Sequence, residues 1–452
     1  MDRRQFLTTA AATTAIAALP RVTFAQDLQD IKPKRVGLIG CGWYGKCDLL
    51  RLIQVAPVEV VSICDVDTQM RQGAADIIAS RQKSGQQPRQ FGDYREMLKE
   101  KDLDICLIGT PDHWHALPMI EAVRAGADVY VQKPISRDIA EGQAMLAAAR
   151  KYDRVVQVGT QRRSTAHLIE ARDKVVKEGL LGTIGHAEIC CYYGMGRNAK
   201  RDNCPPPEYL DFDMWTGPAP KLPFNPVMHP RSWRMFKEFG NGIMGDMCIH
   251  MLDTVRWMLD LGWPTSVNSR GGTYVWKDAT GNVPDTQVAT FDFPELDVVW
   301  THRAYGDAPD RDYPWAVFLY GDKGTLKASV NKYEFFPRGR REPTLSGSPK
   351  VEWDKYPEDQ HEKDLEQHVA AANRAHQRDF LQAVENRTKP VADIEQGHIS
   401  TASCILANMS QELGRSLAWD PAKHEVVGDD EANQMLAREY REGYEHPTAD
   451  NV

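Results

Sequence analysis

The chain has 452 residues, of which 42% are apolar and 26% charged, and its formal net charge is −8. That is an ordinary globular composition, long enough for two or three domains, and its sign argues against nucleic acid or an anionic membrane surface as the main partner. Nine cysteines, an odd number without CxxC spacing, point to neither a disulfide framework nor a zinc site.

In chain order, the first feature is Arg3-Arg4-Gln5-Phe6-Leu7, followed by an Ala/Thr-rich apolar stretch over residues 7–19. Thr23-Phe24-Ala25 places small residues at −3 and −1 of a cleavage point before Gln26. The segment resembles a twin-arginine (Tat) export signal, with Asp2 where Ser or Thr is commoner. The resemblance implies a signal peptide over residues 1–25, the Tat machinery as a partner, and a periplasmic mature protein. No later apolar run reaches the roughly 18 residues of a membrane helix, so no membrane anchor is expected.

From residue 35 short apolar runs alternate with helical patterns. Five strands are expected at RVGLI, VEVVSICDVD, LDICLIGTP, DVYVQKP and VVQVGTQ, with helices at YGKCDLLRLIQV, FGDYREMLKEKD, ALPMIEAVRAGA and DIAEGQAMLAAARKYD. Near-continuous apolar strands between helices imply a parallel sheet covered on both faces, spanning residues 32–160. After it the texture changes. A long strand at GHAEICCYY precedes a Pro-rich, aromatic excursion from Cys204 to Trp233, and a helix is expected at 246–260. Several strands joined by turns follow, then two late helices. Residues 161–452 read as an α+β domain on a large open, mostly antiparallel sheet; the fold class is α/β overall.

Gly40, Gly42 and Gly45 form G-x-G-x-x-G between the first strand and the first helix, with Trp43 and Tyr44 inside it. The first glycine permits the tight turn, the second lets a pyrophosphate approach the backbone, and the third lets helix and strand pack closely. The pyrophosphate then rests on the helix N-terminus. Asp65, 20 residues past Gly45 at the end of the second strand, is placed to accept hydrogen bonds from ribose hydroxyls and to repel a 2′-phosphate. NAD is therefore the expected cofactor. Asp67 is its neighbour or a helix cap.

Three further stretches, GTPDHWHALPMIEAVRAGADVYVQKP, VVQVGTQRR and GDMCIHMLDTVRW, together with the glycine motif, resemble the Gfo/Idh/MocA family of sugar and cyclitol oxidoreductases. The resemblance implies an N-terminal Rossmann domain, a C-terminal domain whose open sheet serves in oligomer contacts, and a homo-oligomer, dimer or tetramer. Thr110, Pro111 and His115 match the family's T-P-N-x-x-H stretch beside the cofactor, with Asp112 replacing Asn. Lys133-Pro134 match E-K-P, with Gln132 replacing Glu; the lysine is the family's active-site lysine, near both cofactor and substrate. Asp246 and His250 match D-x-x-x-H in the substrate domain, and Asp253 extends the pattern.

Physical reasoning supports the pair independently. Residues i and i+4 share a helix face, so Asp246 reaches the substrate beside His250. The imidazole accepts a hydroxyl proton as hydride leaves the carbinol carbon, and Lys133 stabilises the developing negative oxygen. Gln161 and Arg234 are expected cofactor contacts. Arg162 and Arg163 either line the domain crossing or form a charged strand end, and Trp233-Arg234 close over cofactor or sugar or pack on their own loop. Tyr192 and Tyr193 reach substrate or fill the core. His113 and His115 have an H-x-H spacing without an evident third ligand, so no metal is expected. The reading is an exported oxidoreductase moving hydride between a sugar, polyol or glycoside carbinol and a tightly held NAD. The alternative is glycoside cleavage by transient oxidation and elimination, and a non-catalytic binder is the third class.

Overall fold

The computed structural model describes Leu28, residues 31–362 and residues 365–452. The twin-arginine stretch and its cleavage point lie outside the described residues.

Strands β1 (Lys34–Ile39), β2 (Val58–Cys64), β3 (Arg89–Phe91), β4 (Ile105–Ile108), β5 (Asp128–Val131) and β6 (Val156–Val158) form one sheet in the order 3-2-1-4-5-6. Every pair in it is parallel. The apolar runs predict five strands and the sheet has six. Strand β3 reads Arg-Gln-Phe and is largely exposed at the edge, so no apolar run marks it. The strand order reverses between β1 and β4, and ligands bind beyond the strand C-termini at such a point.

Helices α1 (Trp43–Val55), α2 (Thr68–Arg81), α3 (Tyr94–Leu98), α4 (Ala116–Arg124) and α5 (Ile139–Lys151) cover the sheet. On one face Leu49, Leu52 and Ile78 pack against Val36, Leu38 and Ile63. On the other, Met97, Met119 and Met145 pack against Ile39, Ile108 and Val131. The helical patterns in the sequence do not mark α2, because it buries only Ala74, Ala75 and Ile78 and shows little periodicity.

The second sheet contains β7 (Ile184–Cys191), β8 (Ser266–Gly272), β9 (Thr286–Phe293), β10 (Leu296–Arg303), β11 (Trp315–Gly321), β12 (Gly324–Ser329), β13 (Tyr333–Pro337), β14 (Leu345–Gly347), β15 (Leu417–Asp420) and β16 (Glu425–Val426). Its order is 14-13-12-11-7-10-9-8-15-16. Strands β7 and β10 pair parallel, and the remaining pairs are antiparallel. Alternating burial along β9 and β10 shows one face packed and the other partly open. The packed face meets the helices Ile249–Met258 and Ile394–Leu413.

The chain leaves the parallel sheet after β6, near residue 160, but it returns. Phe380 and Leu381 of the helix Ala370–Asn386 belong to the core under β1 and α1. Arg438 near the C-terminus donates to Glu141 of α5 at 2.7 Å. The later part of the chain thus also packs against the first domain. No helix among the described residues is long and apolar enough to cross a membrane.

Candidate active site

A cavity of about 1380 Å³ opens beyond the C-terminal ends of β1 and β4. Gly40 ends β1 with φ +92°, and a Cβ there would sit 2.6 Å from the backbone of Gly109 and Thr110. A Cβ on Gly45 would sit 2.0 Å from the Gly40 carbonyl oxygen, so α1 lies against the strand turn only because both residues are glycine. A Cβ on Gly42 would meet nothing within 4 Å. Gly42 also offers no side chain to cap α1, so the first-turn N–H groups have no side-chain acceptor. These features fit a dinucleotide, with its pyrophosphate over Gly42 and the start of α1.

Asp65 lies at the same cavity. Its Oδ2 accepts from the Cys41 N–H at 2.7 Å and its Oδ1 from the Asp67 N–H at 2.9 Å, while burial pushes its carboxyl above the usual range. Asp67 is buried elsewhere. It caps α2 through the N–H groups of Gln69 and Met70 and meets His229 Nε2 at 2.7 Å. That last contact pins the Pro-rich excursion to the cofactor domain. The excursion then runs along the cavity rim, with Arg231 over the Trp43 ring at 3.9 Å and Arg234 over the Trp233 ring at 4.3 Å.

Every residue singled out from the sequence for cofactor or chemistry lines this cavity, except Gly45 and Gln161. Gly45 is spent on the strand–helix approach. Gln161 is buried behind Tyr44 and donates to its hydroxyl at 2.5 Å, so it holds Tyr44 rather than meeting the cavity. Tyr44 in turn donates to Glu366 at 3.1 Å.

The catalytic candidates meet on the cavity wall opposite the glycine turn. Lys133, just past β5, donates from Nζ to the Asp246 carbonyl and to its Oδ1, both at 2.8 Å. Arg234 Nε lies 3.1 Å from Asp246 Oδ2. Burial alone would raise the Asp246 carboxyl, but Arg234 and Lys133 overcome it and hold it at about 2. Both carboxylate oxygens thus face cations. The expected i,i+4 partnership with His250 differs in detail. Residues Met244–Cys248 form a π turn, in which the Ile249 N–H bonds the Met244 carbonyl five residues back. The widened turn directs Asp246 to Lys133 and Arg234, and no Asp246–His250 hydrogen bond forms among the described residues. Asp246 therefore positions two cations instead of orienting the imidazole.

His250 is 5% exposed and stands edge-on to Trp315, with ring centroids 5.4 Å apart. Its Nδ1 is buried without a partner. Burial, aided by Lys133 and Arg162, holds its pKa well below the usual imidazole value, so the ring is neutral.

The two departures from the family pattern both bury a carboxyl. Asp112 lines the cavity and accepts from the Asn241 N–H at 3.1 Å. Burial pushes it up to about 7 against the opposing pull of Arg234, Lys133 and that N–H, with Asp246 adding to the rise. Gln132 donates to Asp48 Oδ2 at 2.6 Å, and burial pushes Asp48 up to about 8. The charge missing from position 132 is thus not restored by its neighbour at neutral pH.

Other candidates are committed to partners within the protein. Asp253 is sealed: Arg163 grips it through Nε and Nη2 at 2.8 Å each, and Ser400 donates to it at 2.8 Å. His113 lies between the carbonyls of Phe239 and Trp215, and His115 between those of Pro134 and Thr110, which leaves neither ring nitrogen free for a metal. Tyr193 lines the cavity, whereas Tyr192 lies under Arg303 at 4.4 Å. Trp315, Glu366 and His368 also line the cavity, from distant parts of the chain, and no motif in the sequence points to them.

Comparison with known proteins agrees with this architecture. The family model for the GFO/IDH/MocA oxidoreductase family, NAD-binding Rossmann fold, matches residues 34–160. Models of the family's C-terminal domains match residues 170–327 and 357–446. The inositol 2-dehydrogenase of Salmonella typhimurium is 29% identical over 150 residues, covering 33% of this chain and 43% of that protein. The levoglucosan dehydrogenase of Pseudarthrobacter phenanthrenivorans is 26% identical over 251 residues, 53% of this chain and 54% of that one. The alpha-N-acetylgalactosaminidase of Shewanella oneidensis is 26% identical over 224 residues, 45% of this chain and 48% of that one. The chain thus spans about half the length of these relatives. A solved levoglucosan dehydrogenase, in complex with NADH and levoglucosan, shares the fold at a TM-score of 0.63 and 18% identity, covering 86% of this chain and 99% of that one. The chain belongs to the Gfo/Idh/MocA family of NAD-binding oxidoreductases.

Proposed function

We propose that the protein oxidises a CH–OH group of a sugar, polyol or cyclitol. NAD supplies the hydride acceptor. The observation that carries this reading is that neutral His250 and charged Lys133 face one cavity, continuous with the dinucleotide seat. As the carbinol C–H bond gives up its hydride, the O–H bond gives its proton to His250 and a ketone remains. A lysine ammonium has three N–H donors. Two of them bind Asp246, and the third is available to the substrate oxygen, where negative charge develops. Arg234 and Lys133 share one carboxylate, which holds both cations at the cavity.

Incubation with a panel of sugars, cyclitols and glycosides tests the reading, following reduced-nicotinamide absorbance and product mass together. A ketone with stoichiometric NADH supports it. Turnover of no panel member by NAD-loaded protein overturns it. The Shewanella relative favours a second reading, redox-neutral glycoside cleavage, in which transient oxidation acidifies the neighbouring C–H, the aglycone leaves by elimination, and the hydride returns. Released aglycone without net NADH selects that outcome. We also propose export by the Tat route with cofactor already bound. Changing both Arg3 and Arg4 to Lys should strand the precursor in the cytoplasm; unchanged periplasmic yield overturns the proposal.

A further inference from the structure

Arg162 follows β6 and is 3% exposed, yet it lines the cavity. Its Nε is buried without a partner, and among the described residues its guanidinium donates no hydrogen bond and pairs with no carboxylate. It lies over the Trp315 ring, 5.1 Å from the centroid. Among the described residues, no carboxylate on that wall pairs with it. Glu366 and Tyr44 lie nearby but bond each other, and burial lowers the Arg162 pKa despite them. Lys133 and Arg234 already share Asp246, so that carboxylate is not free to answer Arg162. Its Nε has lost water without gaining an acceptor, which is costly, and its remaining donors are open to the cavity. Such a group is retained where a ligand supplies the acceptor.

We propose that Arg162 receives a carboxylate of the substrate, so that the sugar oxidised is an acidic one, a uronate or aldonate. This rests on the oxidoreductase reading above and narrows its substrate class. The planar guanidinium fork matches a carboxylate in two parallel hydrogen bonds. One uncompensated cation also matches a single negative charge better than a phosphate monoester, which carries nearly two. The position suits one sugar ring. Trp315 neighbours both groups, with Arg162 over its ring 5.1 Å from the centroid and the His250 ring T-shaped to it at 5.4 Å. A ring bound along that indole presents its carboxyl to Arg162 and a carbinol to His250 and Lys133.

The test uses the full chain loaded with NAD and substrate pairs differing only at one carbon: D-glucose against D-glucuronate and D-galactose against D-galacturonate, each acid also as its methyl ester. The expected result is a kcat/KM at least tenfold higher for the acid in one pair. The ester and Arg162→Gln should remove that preference, Arg162→Lys should keep part of it, and NAD affinity should stay within twofold. Because Gln removes an unpaired buried charge, the melting temperature should not fall. If that variant fails to fold, the ester and Arg162→Lys decide the question in its place. Oxidation of the neutral members with no acid preference overturns this proposal and leaves the oxidoreductase reading standing. So does an acid preference that survives Arg162→Gln, or a loss of NAD affinity as large as the loss of acid turnover. Oxidation of no member overturns this proposal, and the wider panel of sugars, cyclitols and glycosides then decides the oxidoreductase reading by itself.

Discussion

Arg162 and Arg163 are neighbours in the chain and both are buried, yet one is answered and the other is not. Arg163 closes its fork on Asp253, which Ser400 and Arg256 also surround. Among the described residues, Arg162 faces the cavity and the Trp315 ring and pairs with no carboxylate. The same division separates the two aspartates of the helical stretch 244–258. Asp253 is fully buried in a closed network that fastens β6 to the second domain, whereas Asp246 binds two cations at the cavity edge. Charge pairing inside a protein is thus of two kinds. The closed kind holds elements together and leaves no valence for a ligand. The open kind leaves donors unused, and chemistry takes place where those donors converge.

The open set is broken most severely by removing its base. His250→Ala should lower turnover about 10²–10⁴-fold, the usual scale for losing a general acid or base. NAD affinity should barely change. Lys133→Ala should cost at least as much, and Lys133→Arg should not rescue it, since the fork cannot keep both contacts to Asp246 and still present a compact donor to substrate. Near-normal turnover in both single variants, on the true substrate, would mean that these residues serve structure alone.

The closed set predicts damage of another kind. Asp253→Asn leaves Arg163 buried without its counter-charge and should cost about 3–5 kcal/mol of unfolding free energy. Asp246→Asn, at the cavity edge where water reaches its cations, should lose less stability and more turnover. Denaturant titration and steady-state kinetics on both variants give the comparison. Equal stability losses, or a larger loss in turnover per folded molecule for Asp253→Asn, would erase the distinction.

The parallel sheet and its glycine turn are legible in the sequence because each is encoded locally, by an apolar run or a short spacing, whereas Lys133 and His250 are singled out through the family resemblance. The edge strand Arg89–Phe91 and helix α2 are not legible, since neither carries a strong apolar period. Within the site the limit is different. D-x-x-x-H-x-x-D presents Asp246 and Asp253 alike, and the Gln-Arg-Arg of 161–163 presents three polar residues of equal weight. Their separation depends on which way each side chain leaves its turn and on partners far along the chain: Asp253 for Arg163 and Tyr44 for Gln161. Glu366 and His368 enter the cavity on a segment that returns from the second domain, and nothing in their own neighbourhood of the sequence announces it.

The smallest effect sharpens the comparison at Asp112, a member of the open set whose charge is not fixed. Asp246 is held at about 2 and stays ionised throughout the neutral range. Asp112 is pushed up to about 7, against 3.8 for an unburied aspartate. Between those two values the folded chain holds a proton that the unfolded chain has released. Raising the pH through that window therefore favours the unfolded chain, so the contribution of this group to stability falls from about pH 4 upward and reaches its floor above about pH 7. Asp112→Asn has no such proton to lose, and the other carboxyls titrate alike in both proteins. The variant should therefore gain on the parent as pH rises, by on the order of 1–3 kcal/mol between pH 5 and pH 8. Denaturant unfolding of NAD-free protein at the two pH values measures the difference. A gap that does not widen with pH would mean that Asp112 is already ionised at pH 5, its charge answered by Arg234 and Lys133, and would move it into the fixed set with Asp246.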